Sequence, residues 1–181
     1  MSKVYIVLSA IGADRVGIVD DLSGIVAQAG GNIEESKMAV LGGEFSVMML
    51  VTSDPAGADA LEIRIPEAES ALGLRIGLKR TGEVLKPDGG RPYSVETVSL
   101  DGKGIVHAVS SVLRSRGVNI EELETRTERA PLTGAPLFRM KANIVLGSGV
   151  SAAALRRELE ELQIGQDLDV ILSPLVPSRM D

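Results

Sequence analysis

Cysteine is absent from the 181 residues, tryptophan is absent too, and histidine occurs once, at position 107. Without cysteine there is no disulfide, no zinc–thiolate centre and no thiol nucleophile. A single histidine cannot form a histidine metal cluster, and it removes most nucleophile–histidine–acid triads. Aromatic residues make up 2% of the chain: Tyr5, Phe45, Tyr93 and Phe138. The core must therefore be built from Val, Ile, Leu, Met and Ala, and the stacking surfaces that hold single-stranded nucleic acid are missing. No apolar run approaches ~20 residues, so no helix is expected to span a membrane.

Positive charge is also scarce. The formal net charge is −6, and neither half is basic: residues 1–86 carry 8 basic and 12 acidic groups, residues 87–181 carry 11 and 13. Direct binding to a phosphate backbone is not expected of such a chain. The opening "MSKVYIVLSAIGA" imitates a short secretory signal, with Lys3 ahead of an apolar stretch. That stretch is short and is needed as a first strand, so a cytoplasmic location is expected.

What the chain does contain is one passage written twice. "GADRVGIVDDLSGIVAQAGGNIEES" (12–36) and "LDGKGIVHAVSSVLRSRGVNIEELE" (100–124) share a stretch, 13–36 against 100–123, that aligns without gaps at an offset of 87. Asp14 pairs with Asp101, Gly17-Ile18-Val19 with Gly104-Ile105-Val106, and Asn32-Ile33-Glu34-Glu35 with Asn119-Ile120-Glu121-Glu122. A match of this kind marks a duplicated unit, and ~85 residues is a small domain rather than a solenoid turn.

Each copy holds a helix with apolar residues at 18, 19, 22, 25 and 26, repeated at 105, 106, 109, 112 and 113. Asp14 and Asp101 are expected to cap these helices, and Gly30 and Gly117 to end them. Strands are expected at 3–11, 36–40, 44–52 and 74–80, with a Gly42-Gly43 hairpin turn. A second helix begins near 56 behind Asp54-Pro55, and Pro66 is expected to end or kink it. The second copy repeats this order, with strands near 92–100, 119–129, 137–147 and 167–173 and helices near 104–116 and 151–164. Phe45 and Phe138 are 93 apart, so six residues are inserted in the second hairpin. The predicted fold is α+β: two ferredoxin-like βαββαβ units in tandem, antiparallel sheets with helices on one face. The units are expected at 1–80 and 92–181, joined by a polar linker at 81–91.

The turn after the first strand is where ligand chemistry fits. Gly12 and Gly17 let backbone approach a small molecule, and the helix N-terminus offers unpaired N–H groups to a carboxylate. Arg15 fits that carboxylate and Asp14 an ammonium group, together matching an α-amino acid. The bland alternative is that Asp14 caps, Arg15 is solvated and the glycines only turn the chain. Asn32 and Asn119 are expected to reach the same site or else to cap locally. "DGKGIV" lacks the spacing of a P-loop, and no nucleophile–base–orienter set is legible, so no enzyme activity is expected.

A βαββαβ unit carrying Asp14, Arg15, Gly17, Ile18, Val19, Gly30, Asn32 and Ile33 resembles the ACT domain, a small ligand-sensing module. The stretch from Gly12 to Val51, with a second unit bearing "PLTGAPLF", is similar to the glycine cleavage system transcriptional repressor family. The likeness spans most of residues 4–175 and weakens in the second unit, where Asp101-Gly102-Lys103-Gly104 replaces Asp-Arg-x-Gly. The resemblance implies a non-enzymatic regulator that uses no cofactor or metal, binds a small amino acid, glycine by suggestion, and acts through a protein partner rather than DNA. It implies ligand residues among Gly12, Ala13, Asp14, Arg15, Gly17, Ile18, Asn32 and Ile33, with Asp101, Gly104, Asn119 and Ile120 as their counterparts. ACT units commonly pair, so a homodimer is expected. Two alternatives remain open: a regulatory subunit docking on an amino-acid or one-carbon metabolic enzyme, and a scaffold that keeps only the fold.

Overall fold

A computed structural model describes residues 3–83, 90–166 and 168–175. The first 81 residues form β1 (Val4–Ala13), α1 (Ile18–Gln28), β2 (Asn32–Leu41), β3 (Glu44–Ser53), α2 (Pro55–Leu72) and β4 (Arg75–Thr81). The same order follows as β5 (Arg91–Leu100), α3 (Ile105–Ser115), β6 (Asn119–Arg129), β7 (Pro136–Leu146), α4 (Ala152–Gln166) and β8 (Leu168–Pro174). The two antiparallel sheets have orders β2-β3-β1-β4 and β6-β7-β5-β8. The chain divides into two compact units, 1–85 and 86–181. Part of the linker expected at 81–91, residues 84–89, lies outside the described residues; Thr81 closes β4 and Arg91 opens β5.

Strand alternation decides which side is core. In the first unit Ile6, Leu8 and Ala10 of β1 and Phe45, Val47, Met49 and Val51 of β3 face Ile18, Leu22 and Val26 of α1 and Ala58, Leu61, Ile65 and Ala68 of α2. Burying such side chains stabilises by roughly 1.5–3 kcal/mol each. The second unit builds its own core from Val95, Met140, Ala142, Ile144 and Leu146 against Ile105, Val109, Leu113, Leu155 and Leu159. Val19 stays 46% exposed at the margin of the α1 stripe. Ser36, Met38 and Val40 share a face with Met49, Val47 and Phe45, yet Met38 and Val40 remain exposed because β2 is an edge strand.

Asp54 caps α2, its Oδ1 accepting from Gly57 N at 2.7 Å, with Pro55 at the first helical position. Pro66, expected to end or kink α2, does not end it; the helix runs on to Leu72. The missing N–H and the ring clash cost about 3 kcal/mol in a helix interior. Burial of Leu61, Ile65 and Ala68 on both sides of the proline holds the segment helical. Asp14 and Asp101 do not cap α1 and α3. The caps are Gly17 (φ 92°) and Gly104 (φ 89°), neither helix has a side-chain cap, and the two aspartates instead give their backbone N–H to Gly43 O and Pro136 O, both at 3.0 Å.

Both sheets repeat one irregularity. The β2–β3 register slips between Ile33 and Glu35, and the β6–β7 register between Ile120 and Glu122, so Glu34 and Glu121 are the extra residues of matching bulges. The hairpins differ. Gly42-Gly43 makes a two-residue turn in the first unit, whereas residues 130–135 span the second, closed by Ala130 N to Ala135 O at 2.8 Å and Gly134 N to Ala130 O at 2.9 Å. Four of the six inserted residues lie in that turn, and β6 and β7 are each one residue longer than β2 and β3.

Candidate functional site in the turn before the first helix

β1, a central strand, ends at Gly12 and Ala13, and the chain then turns through Asp14, Arg15 and Val16 to enter α1 behind its cap Gly17. Gly17 must take a left-handed conformation that costs other residues about 1–2 kcal/mol. Its carbonyl accepts from Asp21 N at 2.9 Å, closing the first helical turn. With no side chain on the cap, the first N–H groups of α1 keep their capacity for an outside acceptor, and the helix dipole adds to their pull on an anion.

Around this terminus the side chains are exposed. The Asp14 carboxylate has no hydrogen-bond or ion-pair partner among the described residues. Arg15 is neither free nor aimed outward: Nη2 pairs with Asp21 Oδ2 at 2.8 Å, and Nη1 donates to Val16 O at 3.2 Å. Val16 forms the tip, 98% exposed. Ile18 faces inward, 2% exposed, as a core anchor, and Ile33 is half-buried against the same core. Gly12 has its own reason to lack a side chain: an added Cβ would lie 2.7 Å from Leu74 Cδ2 and 2.9 Å from Gly73 O.

Asn32 does not join this turn within its own unit. It pairs with Thr52, which pairs with Tyr5, whereas the turn follows the row of Ala13 and Glu44. Eight ladder rows separate them, about 27 Å. The reason is topological: α1 carries the chain back along β1, so β2 begins where β1 began. Asn32 belongs instead to a cluster around the bulge. Glu34 Oε1 accepts from Lys3 Nζ at 2.9 Å and from Thr52 Oγ1 at 2.7 Å. The hydrogen bond from Lys3 foremost, then those from Thr52 and Asn32 with the lysine's charge, hold the Glu34 carboxyl below the usual carboxylate range. The Lys3 ammonium is correspondingly raised, and it also sits 5.4 Å from the Tyr5 ring centroid.

The second unit repeats the backbone but not the chemistry. Asp101 and Gly104 occupy the equivalent turn, again without a side-chain cap. Gly102 replaces Arg15 and Ala108 replaces Asp21, so the ion pair is lost as a whole. Asn119 is likewise eight rows from Leu100, and it lines a cleft of about 510 Å³ with His107, Ser110, Arg114 and Ile120 on the polar side of α3. Asp21, Lys3 and Thr52 were not singled out from sequence. The signal that finds them is the duplication itself, since partners vanish together between the copies: Arg15 with Asp21, and Lys3 with Thr52 (now Gly90 and Val145). Among the described residues no cluster of His, Asp or Glu side chains suits a metal, and no helix is long and apolar enough to cross a membrane.

Comparison with known proteins agrees with this architecture. The ACT domain family model matches residues 4–79. The glycine cleavage system transcriptional repressor of Escherichia coli (strain K12) is 33% identical over 161 residues, covering 89% of this chain and 85% of that protein. A protein of unknown function from Galdieria sulphuraria has a crystal structure 35% identical in sequence, with a TM-score of 0.80 over 97% of this chain and 100% of its own. A candidate glycine cleavage system transcriptional repressor, 24% identical, shares the fold with a TM-score of 0.75 over 97% of this chain and 99% of its own. Kinship across nearly the whole length, through both units and not the first alone, places the chain in the glycine cleavage system transcriptional repressor family, as a regulatory protein made of tandem ACT units.

Proposed function

We propose that the chain is a non-enzymatic cytoplasmic regulator that binds a small amino acid at the Gly12–Gly17 turn and passes that state to a protein partner. The observation that carries this reading is the bare N-terminus of α1, uncapped by any side chain, with Asp14 and Arg15 beside it. A free amino acid is a zwitterion. Helix N–H groups and the Arg15 fork suit its carboxylate, and Asp14 suits its ammonium group. A small turn with an exposed Val16 and little wall favours a ligand with little side chain, so glycine is the first candidate, as the name of the Escherichia coli relative also suggests. The partner is a protein, a transcription activator in this reading, because a chain of net charge −6 gains little from counterion release on DNA. The active species is a homodimer.

Calorimetry of the purified chain against the twenty amino acids tests the reading. Saturable binding of glycine or another small amino acid, weakened by Arg15→Ala, supports it. No binding of any amino acid overturns the sensor and leaves the scaffold. Capture of a metabolic enzyme rather than a transcription activator turns it into an enzyme-docking subunit. Salt-sensitive, sub-micromolar binding of duplex DNA by the isolated protein overturns the indirect route.

A further inference from the structure

The two units finish the helix-free side of their sheets differently. In the first unit Ile6, Leu8 and Ala10 of β1 and Val47, Met49 and Val51 of β3 point to the helices, so alternation turns Val7, Ile11, Met48 and Leu50 to the other side. There Ile11 is 52% exposed and Met48 59%. The same four positions in the second unit are Ser94, Val98, Lys141 and Asn143. On that face Lys141 pairs with Glu96 at 3.4 Å, Arg139 pairs with Glu128, and Asn143 Nδ2 donates to Glu122 Oε2 at 2.6 Å. The second face is built for water, and the first is an apolar surface left uncovered. Duplication supplies the control: the same fold carries this apolar face once, not twice.

We infer that this face of the first sheet is where two copies of the chain meet, sheet against sheet, across a twofold axis parallel to the strands. The inference rests on the homodimer proposed above and assigns its surface. An apolar face that occurs once per chain is satisfied by a second copy of itself, because a twofold contact uses one patch on both partners.

The relief of the face fits that operation. Ser9 and Gly77 lie in one row beside Met48, and Ala39 and Ser46 in the next row beside Ile11. Ser9 and Gly77 leave a hollow, since a Cβ on Gly77 would stand 2.9 Å from Ser9 Oγ. The twofold lays β1 of each copy over β3 of the other. Met48 then enters the hollow at Ser9 and Gly77 of the second copy, and Ile11 the hollow at Ser46 and Ala39, each contact made twice. Facing sheets pack about 10 Å apart with strands within about 30°.

The charges at the rim fit it too. Glu35 on β2 and Lys79 on β4 stand at the two ends of the row that holds Leu50 and Val7. Neither has a hydrogen-bond or ion-pair partner among the described residues. Three strand spacings, about 14 Å, keep them apart within one chain. The twofold sets Glu35 of each copy against Lys79 of the other. Four strands and five outward rows give about 600 Å² on each copy and about 1,200 Å² in the pair, the size at which specific interfaces begin.

Sedimentation velocity on the full chain tests the surface, with circular dichroism confirming that each variant folds. Met48→Glu is expected to raise the dimer dissociation constant about 100-fold or more, because a lone carboxylate enters an apolar contact. Lys141→Ala, at the equivalent position of the second unit, is expected to leave it unchanged. Glu35→Lys and Lys79→Glu are each expected to weaken self-association about 10-fold. Mixed together, these two variants are expected to form a heterodimer as tight as the unsubstituted dimer, since every rim pair is then again of opposite sign. A dimer indifferent to Met48→Glu overturns the inference and leaves the homodimer standing on another surface. Failure of the mixture to recover affinity overturns the twofold arrangement and the inference with it. A monomer at all concentrations up to about 100 μM overturns both this surface and the homodimer, and leaves the face to a different protein.

Discussion

Arg15 and Asp21 face each other across the first turn of α1, guanidinium to carboxylate at 2.8 Å, and the equivalent residues of the second unit, Gly102 and Ala108, can make no such pair. If Arg15 receives a ligand carboxylate, it must give up Asp21 to do so. Both groups are about 40% exposed, so the pair contributes only ~0.2–1 kcal/mol. Asp21→Asn removes the competitor and is expected to tighten amino-acid binding about 2- to 5-fold. Arg15→Ala is expected to weaken it about 10- to 100-fold, since a charge-assisted contact is worth ~1.5–3 kcal/mol. Lys103→Ala is expected to have little effect, because lysine cannot reproduce a bidentate fork. Calorimetry on the three variants checks the order; equal effects of Arg15→Ala and Lys103→Ala would move the site away from the first turn.

The left-handed caps make a prediction about stability. Gly17→Ala and Gly104→Ala are each expected to cost about 1–2 kcal/mol, because Ala must adopt φ near 90°. Gly12→Ala is expected to cost a further kind of energy, about 1–3 kcal/mol of overpacking against Leu74 and the Gly73 carbonyl. Urea denaturation monitored by circular dichroism measures all three. A neutral Gly12→Ala would mean that the end of β1 and the α2–β4 turn separate easily.

The Lys3–Glu34 pair makes a prediction about pH. Glu34 has a lowered folded pKa, so its contribution is present above the unfolded carboxylate pKa and is lost as pH falls through the folded value. Lys3 has a raised folded pKa, so its contribution is present below the unfolded amine pKa and is lost as pH rises through the folded value. The two together give a plateau across neutral pH with losses at both extremes. Glu34→Gln is expected to lower stability at neutral pH and to converge with the unsubstituted protein in acid. A stability difference that stays constant down to about pH 3 would contradict the assignment.

Thr97 and Ser99 predict stabilising substitutions. An unpartnered buried hydroxyl costs ~1–3 kcal/mol, so Thr97→Val and Ser99→Ala are each expected to raise the melting temperature of the ligand-free chain. If either substitution destabilises, the hydroxyl has a structural partner.

Much of the architecture is legible in the sequence. The duplicated passage, the helical spacing at 18, 22 and 26, and the turn residues Gly42-Gly43 and Asp54-Pro55 fixed two βαββαβ units and most element limits. These are local signals: apolar period, turn chemistry and cap chemistry act over a few residues, and each is written where it operates. Tertiary structure decided the rest. Asp14 reads as a helix cap in sequence, but its backbone N–H is tied to the Gly43 carbonyl and the cap of α1 stands three residues later at Gly17. Asn32 reads as a neighbour of the turn, but ladder register puts it at the other end of the sheet. Ser99 reads as an ordinary strand residue, and only the meeting of β5, α4 and β8 makes its hydroxyl a buried group beside a cleft. The sequence determined the elements because their causes are near neighbours in the chain; the sites depend on pairings tens of residues apart, whose geometry exists only once the sheets are closed.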